Sequence, residues 1–317
     1  MKKITFIIFA FNEAHRIKYP IELFLKFGDV LLVDNSSTDD TASIAKKLGA
    51  KVINRPKNNL EIDVAESKEM ADWVFKYVKT EWVYWGYADE MLTESCLSKY
   101  LEIIKSGNKK LIIQSYRTYL YGDCKSYINQ FFCYRVFKIG ALTFYPRNQS
   151  IHKLGIINKN VLSHEIEFLP MDINFSIHHF SVYNTKKLIN NHNLYSDVHA
   201  QVDLLKFRKL NLILKPFLSF LLLYFLHINF MKGLKGFIFS IQYSYYVFMV
   251  EVKKYENQNN ITLLSIERSF ANYKSQILKN DYSKVSNSKF NNCYNKIKLL
   301  LFKKILAPIF LRRNKIK

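Results

Sequence analysis

Three groups of polar residues in the first 90 positions follow directly on apolar runs, and each carries a distinct chemistry. Phe11, Asn12 and Glu13 close the run that begins at Ile4, and Val33-Asp34-Asn35-Ser36-Ser37-Thr38-Asp39-Asp40-Thr41 closes a second run. A carboxylate on a strand terminus can accept the imide N–H of a uracil ring, and Ser, Thr and Asp ahead of a helix can hold ribose hydroxyls or cap free backbone amides. For Ser37 to Thr41 the plainer alternative is an N-cap loop, with Asp34 a turn residue that ends the strand. The third group is Tyr87-Ala88-Asp89-Glu90. Paired carboxylates at a sheet edge suit a divalent cation, because they are hard oxygen ligands that leave positions open for phosphate oxygens. Asp89 and Glu90 could instead cap a helix starting near Thr93.

The elements that must position these groups alternate in type. Ile4 to Phe11, Val30 to Asp34 and Lys51 to Asn54 read as strands, and Thr41 to Leu48 has helical spacing closed by Gly49. A helix over Val64 to Val78, a strand over Glu81 to Tyr87, a helix over Thr93 to Ile104 and a strand over Leu111 to Tyr116 continue the pattern. Runs buried on both faces with helices between them predict a mostly parallel sheet, which binds ligands at the carboxyl ends of its strands. The opening MKKITFIIFAFNEAHR imitates a signal peptide, but Asn12, Glu13, His15 and Arg16 follow with no cleavage site, so it reads as a first buried strand.

Order and spacing of the three motifs, (F/Y)NE, VDxxSxDxT and an acidic turn some fifty residues on, resemble the family 2 glycosyltransferases of the GT-A fold. The resemblance implies an α/β domain in which the first two motifs embrace a nucleotide, usually UDP, and the third, typically DxD, holds Mn²⁺ or Mg²⁺. Carried over, Phe11 and Glu13 flank the nucleotide, Asp34 meets the base within the motif that includes Asp39, and Asp89 takes the metal. Tyr87 stands where the first Asp of DxD would be; its hydroxyl can bond ribose or phosphate but brings no charge to a metal. Further on, RVFKIG (Arg135 to Gly140), SIHK, IHHFSV and NHNLYSDVHA are similar to the bacterial lipopolysaccharide-core and capsule branch. On that likeness His152 and His179 face the acceptor or the diphosphate. An inverting transfer also needs a carboxylate base, and where relatives carry His-Glu this chain has His152-Lys153. His164-Glu165 supplies the first candidate, Glu165, and Asp172 the second.

Charge is distributed unevenly along the 317 residues. The net charge of +21 divides into +5 over the first 200 positions and +16 over the last 117. Such asymmetry implies an anionic partner for the C-terminal part. Apolar runs without charge, Pro216 to Leu226 and Gly236 to Val250, are shorter than a spanning helix requires. The final 36 residues carry ten Lys or Arg, interleaved with leucine and isoleucine rather than with exposed stacking aromatics, which favours a lipid surface over nucleic acid. The expected organisation is a nucleotide-sugar domain over 1–205, membrane-interface helices over 206–256 and a basic helical tail over 257–317. Four cysteines without a CxxC pair point to a reducing compartment. The combined expectation is an enzyme peripheral to the cytoplasmic face of the plasma membrane, moving sugar from a UDP-sugar to a lipopolysaccharide, capsule or other lipid-linked glycan with a divalent cation. A non-catalytic sugar-nucleotide binder is the alternative. A nucleotidyltransferase would carry a Gly-rich phosphate loop, and Phe11 to Arg16 contains no glycine.

Overall fold

In a computed structural model the described residues are 3–55, 65–120, 127–146, 154–182, 184–202, 207–278, 296–301 and 304. The chain divides into two compact units, Met1–Asn257 and Gln258–Lys317, so the helices after residue 207 fall mostly in the same unit as the sheet.

The opening run is β1 (Ile4–Ala10), buried along its whole length as a central strand should be. It leads through α1 (Lys18–Leu25) to β2 (Asp29–Asp34), then α2 (Thr41–Lys47), β3 (Lys51–Asn54), α3 (Lys68–Phe75) and β4 (Trp82–Tyr87). β5 (Glu90–Met91) and α4 (Glu94–Ser106) precede β6 (Leu111–Leu120) and β7 (Tyr127–Lys138); β8 (Leu142–Thr143) and β9 (Ile156–Ile157) form a small separate pair. β10 (Ile166–Phe168), β11 (Ile177–Val182) and α5 (Thr185–Val202) complete the α/β part. They are followed by α6 (Asn211–Leu221), α7 (Gly233–Gln258) and α8 (Leu263–Leu278).

The main sheet runs β3-β2-β1-β4-β7-β6-β11-β5, with β10 also on β6. β1 to β4 pair in parallel, and β10 and β11 are parallel to β6. β7 lies between β4 and β6 and is antiparallel to both. Core clusters fill both faces. Phe6, Phe24, Tyr84 and Tyr100 pack under α1 and α4, and Phe9, Val74, Trp85 and Phe144 pack under α3. The helices end by ordinary chemistry: Ser67 and Thr93 accept backbone N–H groups at the starts of α3 and α4, and Gly107 closes α4 at φ +76°. The helix expected from Val64 begins only at Lys68, because the Ser67 hydroxyl caps it there.

Candidate active site at the carboxyl edge of the sheet

Ala10 is in register with Asp34 and Phe9 with Tyr87, so the ends of β1, β2 and β4 share one edge. The loops after β1 and β2 are laced together there. Asn12, at φ +55°, accepts the Thr38 N–H on its side-chain oxygen (2.8 Å) and donates its own N–H to Ser37 Oγ (2.9 Å). The Glu13 N–H goes to Thr41 Oγ1 and the Ala14 N–H to Asp39. Asp39 thus joins the two loops, its other oxygen accepting the Thr41 N–H (3.0 Å). Asp34, almost fully buried, accepts both the N–H and the hydroxyl of Ser37. The carboxylates of Asp34 and Asp39 thus shape the loops, as the turn-forming reading of this segment expects. Phe11 is half exposed beside them, and Glu13 is held by Arg16, whose Nη1 donates to the Phe180 carbonyl on β11.

The acidic turn after β4 separates its two carboxylates. Asp89 faces His179 across 3.3 Å, and the Phe180 N–H donates to the Asp89 carbonyl, so β11 locks the turn to the sheet. Burial works against the Asp89 charge, but His179 and then Arg16 outweigh it, holding the carboxyl below its ordinary range. Glu90 points the other way. It is fully buried, accepts the hydroxyls of Tyr84 (2.6 Å) and Tyr116 (2.8 Å), and lies 3.7 Å from Arg135. Gly86 makes room for it, since a Cβ there would stand 2.7 Å from the Glu90 carboxylate. Neither residue caps α4; Thr93 does.

Tyr87 donates its hydroxyl to Glu66, its ring lies 5.2 Å from the Arg135 guanidinium, and Arg135 reaches Glu66 at 3.8 Å. Burial, then the Glu66 charge, hold the Tyr87 phenol protonated well above its usual range. Beneath Asp89 and His179 there is thus a buried layer of Glu66, Tyr87, Glu90, Tyr116 and Arg135, most of it invisible to motif reading. Arg135 was within reach, because it opens the RVFKIG stretch. Tyr195 on α5 also borders the site: burial, then the charges of Glu66 and Asp89, push it up to about 12.

The two base candidates stand elsewhere. Glu165 pairs with Lys110 at 2.9 Å and accepts the Leu162 N–H, next to the Ile166–Leu111 register pair at the start of β6. His179 is in register with Thr118, seven residues further along β6 and therefore about 23 Å away. Its ion pair and that separation remove Glu165 from the site. Asp172 is an N-cap instead, accepting the Asn174 N–H (2.7 Å) ahead of a 3₁₀ turn that packs on α4. His152 lies outside the described residues.

A cation at this edge would find Asp89 and His179 as an oxygen and nitrogen pair. Among the described residues no third Asp, Glu, His or Cys converges with them. The pair fits a cation whose remaining ligands come from a bound diphosphate and water, and does not fit a self-sufficient metal cage.

The family model for glycosyl transferase family 2 matches residues 5–188, which takes in every loop of this edge. The chain belongs to glycosyltransferase family 2. Similar to this glycosyltransferase are an uncharacterized glycosyltransferase of Rickettsia typhi, 32% identical over 78% of this chain and 85% of the relative, and one of Rickettsia prowazekii, 31% identical over 83% and 91%. Among solved structures, glucosyl-3-phosphoglycerate synthase from Mycobacterium tuberculosis in complex with Mn²⁺, UDP-glucose and phosphoglyceric acid matches 63% of this glycosyltransferase and 78% of its own chain, at 16% identity and a TM-score of 0.39. Motif reading and family agree on what the protein is: an α/β enzyme of sugar transfer.

Proposed function

We propose that this glycosyltransferase takes its sugar from a UDP-sugar and passes it, with inversion, to a lipid-linked or lipopolysaccharide glycan at the inner face of the plasma membrane. The observation that carries the reading is the Asp89–His179 pair, held between the turn after β4 and the middle of β11, beside the interlaced loops after β1 and β2. In this reading Asp34 and its Ser37 loop receive the base, Phe11 and Glu13 border the nucleotide, and Asp89 with His179 holds a Mn²⁺ or Mg²⁺ ion at the diphosphate. When bound, such an ion supplies Lewis-acid neutralisation of charge on the leaving diphosphate. The chain's own part is to fix the loops before substrate arrives, so that little ordering is left to binding.

Tyr87 modifies this picture. Its hydroxyl is committed to Glu66, so the position that is acidic in DxD contributes no charge, and a weak metal requirement follows. A screen of UDP-, GDP- and TDP-sugars for hydrolysis and transfer, with and without Mn²⁺, tests the proposal. Turnover is expected with a UDP-sugar, stimulated but not absolutely controlled by the cation. Absence of turnover with every donor, alongside retained UDP binding, would replace it with the non-catalytic reading.

A further inference from the structure

Between residues 204 and 250 the chain has six Lys or Arg and no Asp or Glu, and over 207–250 it folds with many of its large apolar side chains exposed. α6 continues through a π-helical stretch, Leu222–Leu226, and a 3₁₀ turn, Asn229–Lys232, into α7, with a bend of 71° between the two arms. The inward side of α7 mixes Phe239, Tyr246 and Val250 with Gly236, Ser240, Ser244, Glu251 and Lys254. Ser240 and Ser244 return their hydroxyls to the carbonyls four residues back, and Glu251 takes Lys215 (2.6 Å) and Lys254 (3.0 Å). Outside are Ile213, Phe217, Leu226, Met231, Leu234 and Ile241, with Leu226 76%, Met231 75% and Leu234 72% exposed.

The bend is built to present that surface. The Asn229 carbonyl lies where a Cβ on Gly236 would be, at 1.9 Å, so only glycine allows the turn to close on α7. Lys232 folds back to donate to the Asn229 side-chain oxygen (2.9 Å), so its amine does not project from the tip among Phe230, Met231 and Leu234. Burial there pushes the Lys232 amine down to about 8.

An apolar face of this extent facing water is costly, and it suits an apolar surrounding. No single described helix is long and apolar enough to cross a membrane. Exposed Arg208 and Lys209 border the α6 arm, and no acid lies between 204 and 250 to meet them. A second copy would therefore oppose like charges, whereas lipid phosphates complement them. We infer that α6, the bend and the first half of α7 form a wedge that lies in one leaflet of a bilayer, its tip at the acyl boundary and its basic residues among the headgroups. The inference concerns where the enzyme stands and is independent of which donor it uses.

The test is flotation of the full-length protein with vesicles of phosphatidylcholine alone and of phosphatidylcholine with phosphatidylglycerol. Compared with it are Met231→Asp/Leu234→Asp and a control, Phe168→Asp, at a large exposed apolar residue on β10. The wild type and the control should float with both vesicles and better with the anionic one. The wedge variant should partition roughly a hundredfold less into either, because two large apolar side chains no longer leave water. Raising salt from ~0.1 M to ~1 M should remove only the anionic increment, and alkaline carbonate should release the protein. Circular dichroism and UDP binding, read in parallel, keep a folding defect or a wrong donor distinct from a lost membrane face. Equal flotation of wild type and wedge variant would overturn the inference, as would wild-type protein that ignores vesicles. Carbonate resistance would mean a true span. A dimer that the double substitution disperses, without vesicle binding, would mean that a second copy covers the face.

Discussion

Arg135 is the residue on which the buried layer beneath the site depends, and Arg135→Met isolates its charge while keeping much of its length. Its guanidinium lies 3.7 Å from Glu90 and 3.8 Å from Glu66, whose side chains are 0% and 3% exposed. At an effective dielectric constant near 20, each contact is worth roughly 4 kcal/mol of Coulomb energy before the cost of desolvation. Removing one member of such a set leaves buried carboxylates uncompensated and costs about 3–5 kcal/mol. For a unit of this size that lowers Tm by roughly 6–20 °C, readable by circular dichroism or calorimetry. A double-mutant cycle with Glu90→Gln gives the sharper measurement. If the charge is what matters, the second substitution should return part of the loss, with a coupling of about 1 kcal/mol or more. Because Tyr87 packs on the guanidinium, turnover of the proposed UDP-sugar donor should fall in the same variant. An Arg135→Met protein melting within about 2 °C of wild type, or strictly additive effects in the cycle, would refute this reasoning.

Asp34→Ala should weaken UDP binding by roughly tenfold to a hundredfold in calorimetry, the equivalent of ~1.5–3 kcal/mol for a charge-assisted hydrogen bond; unchanged affinity in a folded protein would remove Asp34 from the base site. Asp89→Asn should abolish the cation-stimulated part of turnover. It should also flatten the acid limb of stability: the folded carboxyl lies below its ordinary range, so its contribution is present above that range and is lost as pH falls through the depressed value. Urea titrations of both proteins across the acid range would reveal parallel curves if His179 and Arg16 do not stabilise the Asp89 charge. Gly86→Ala should destabilise by at least ~1–3 kcal/mol, since the new methyl meets both the Tyr84 ring and the Glu90 carboxylate. Glu165→Gln should leave turnover unchanged, and a strong loss there would contradict its position beside Lys110.

Much of the α/β frame was legible because β1, β2 and β4 are buried on both faces and so appear as unbroken apolar runs ended by polar residues. That same fact exposed Asp34, the last residue of β2, and Asp89, two residues past β4. β7 was not legible: Tyr127 to Lys138 mixes Asn, Gln, Arg and Lys with aromatics, and nothing local encodes that it runs antiparallel between two strands of the opposite direction. Its place in the sheet decides where Arg135 falls, and with it the roles of Glu66 and Glu90. Glu165 misled for a related reason, because a His-Glu dipeptide carries no information about which end of β6 its strand will join.

His178 and His179 are neighbours in the sequence, and the pleat of β11 sends them to opposite faces. His179 meets Asp89, while His178 bonds Tyr119 and the Ile173 carbonyl. Between the two strands that lie on β6, the 3₁₀ turn capped by Asp172 therefore works as a length gauge. It sets how many residues separate the Ile166–Leu111 pair from the Ile177–Tyr116 pair, and so which imidazole arrives beside the acidic turn. One residue added there would bring His178 to the place of His179 beside Asp89, and one removed would bring Phe180. Natural variation in this enzyme should accordingly tolerate substitutions within Met171 to Phe175 far better than any change in its length.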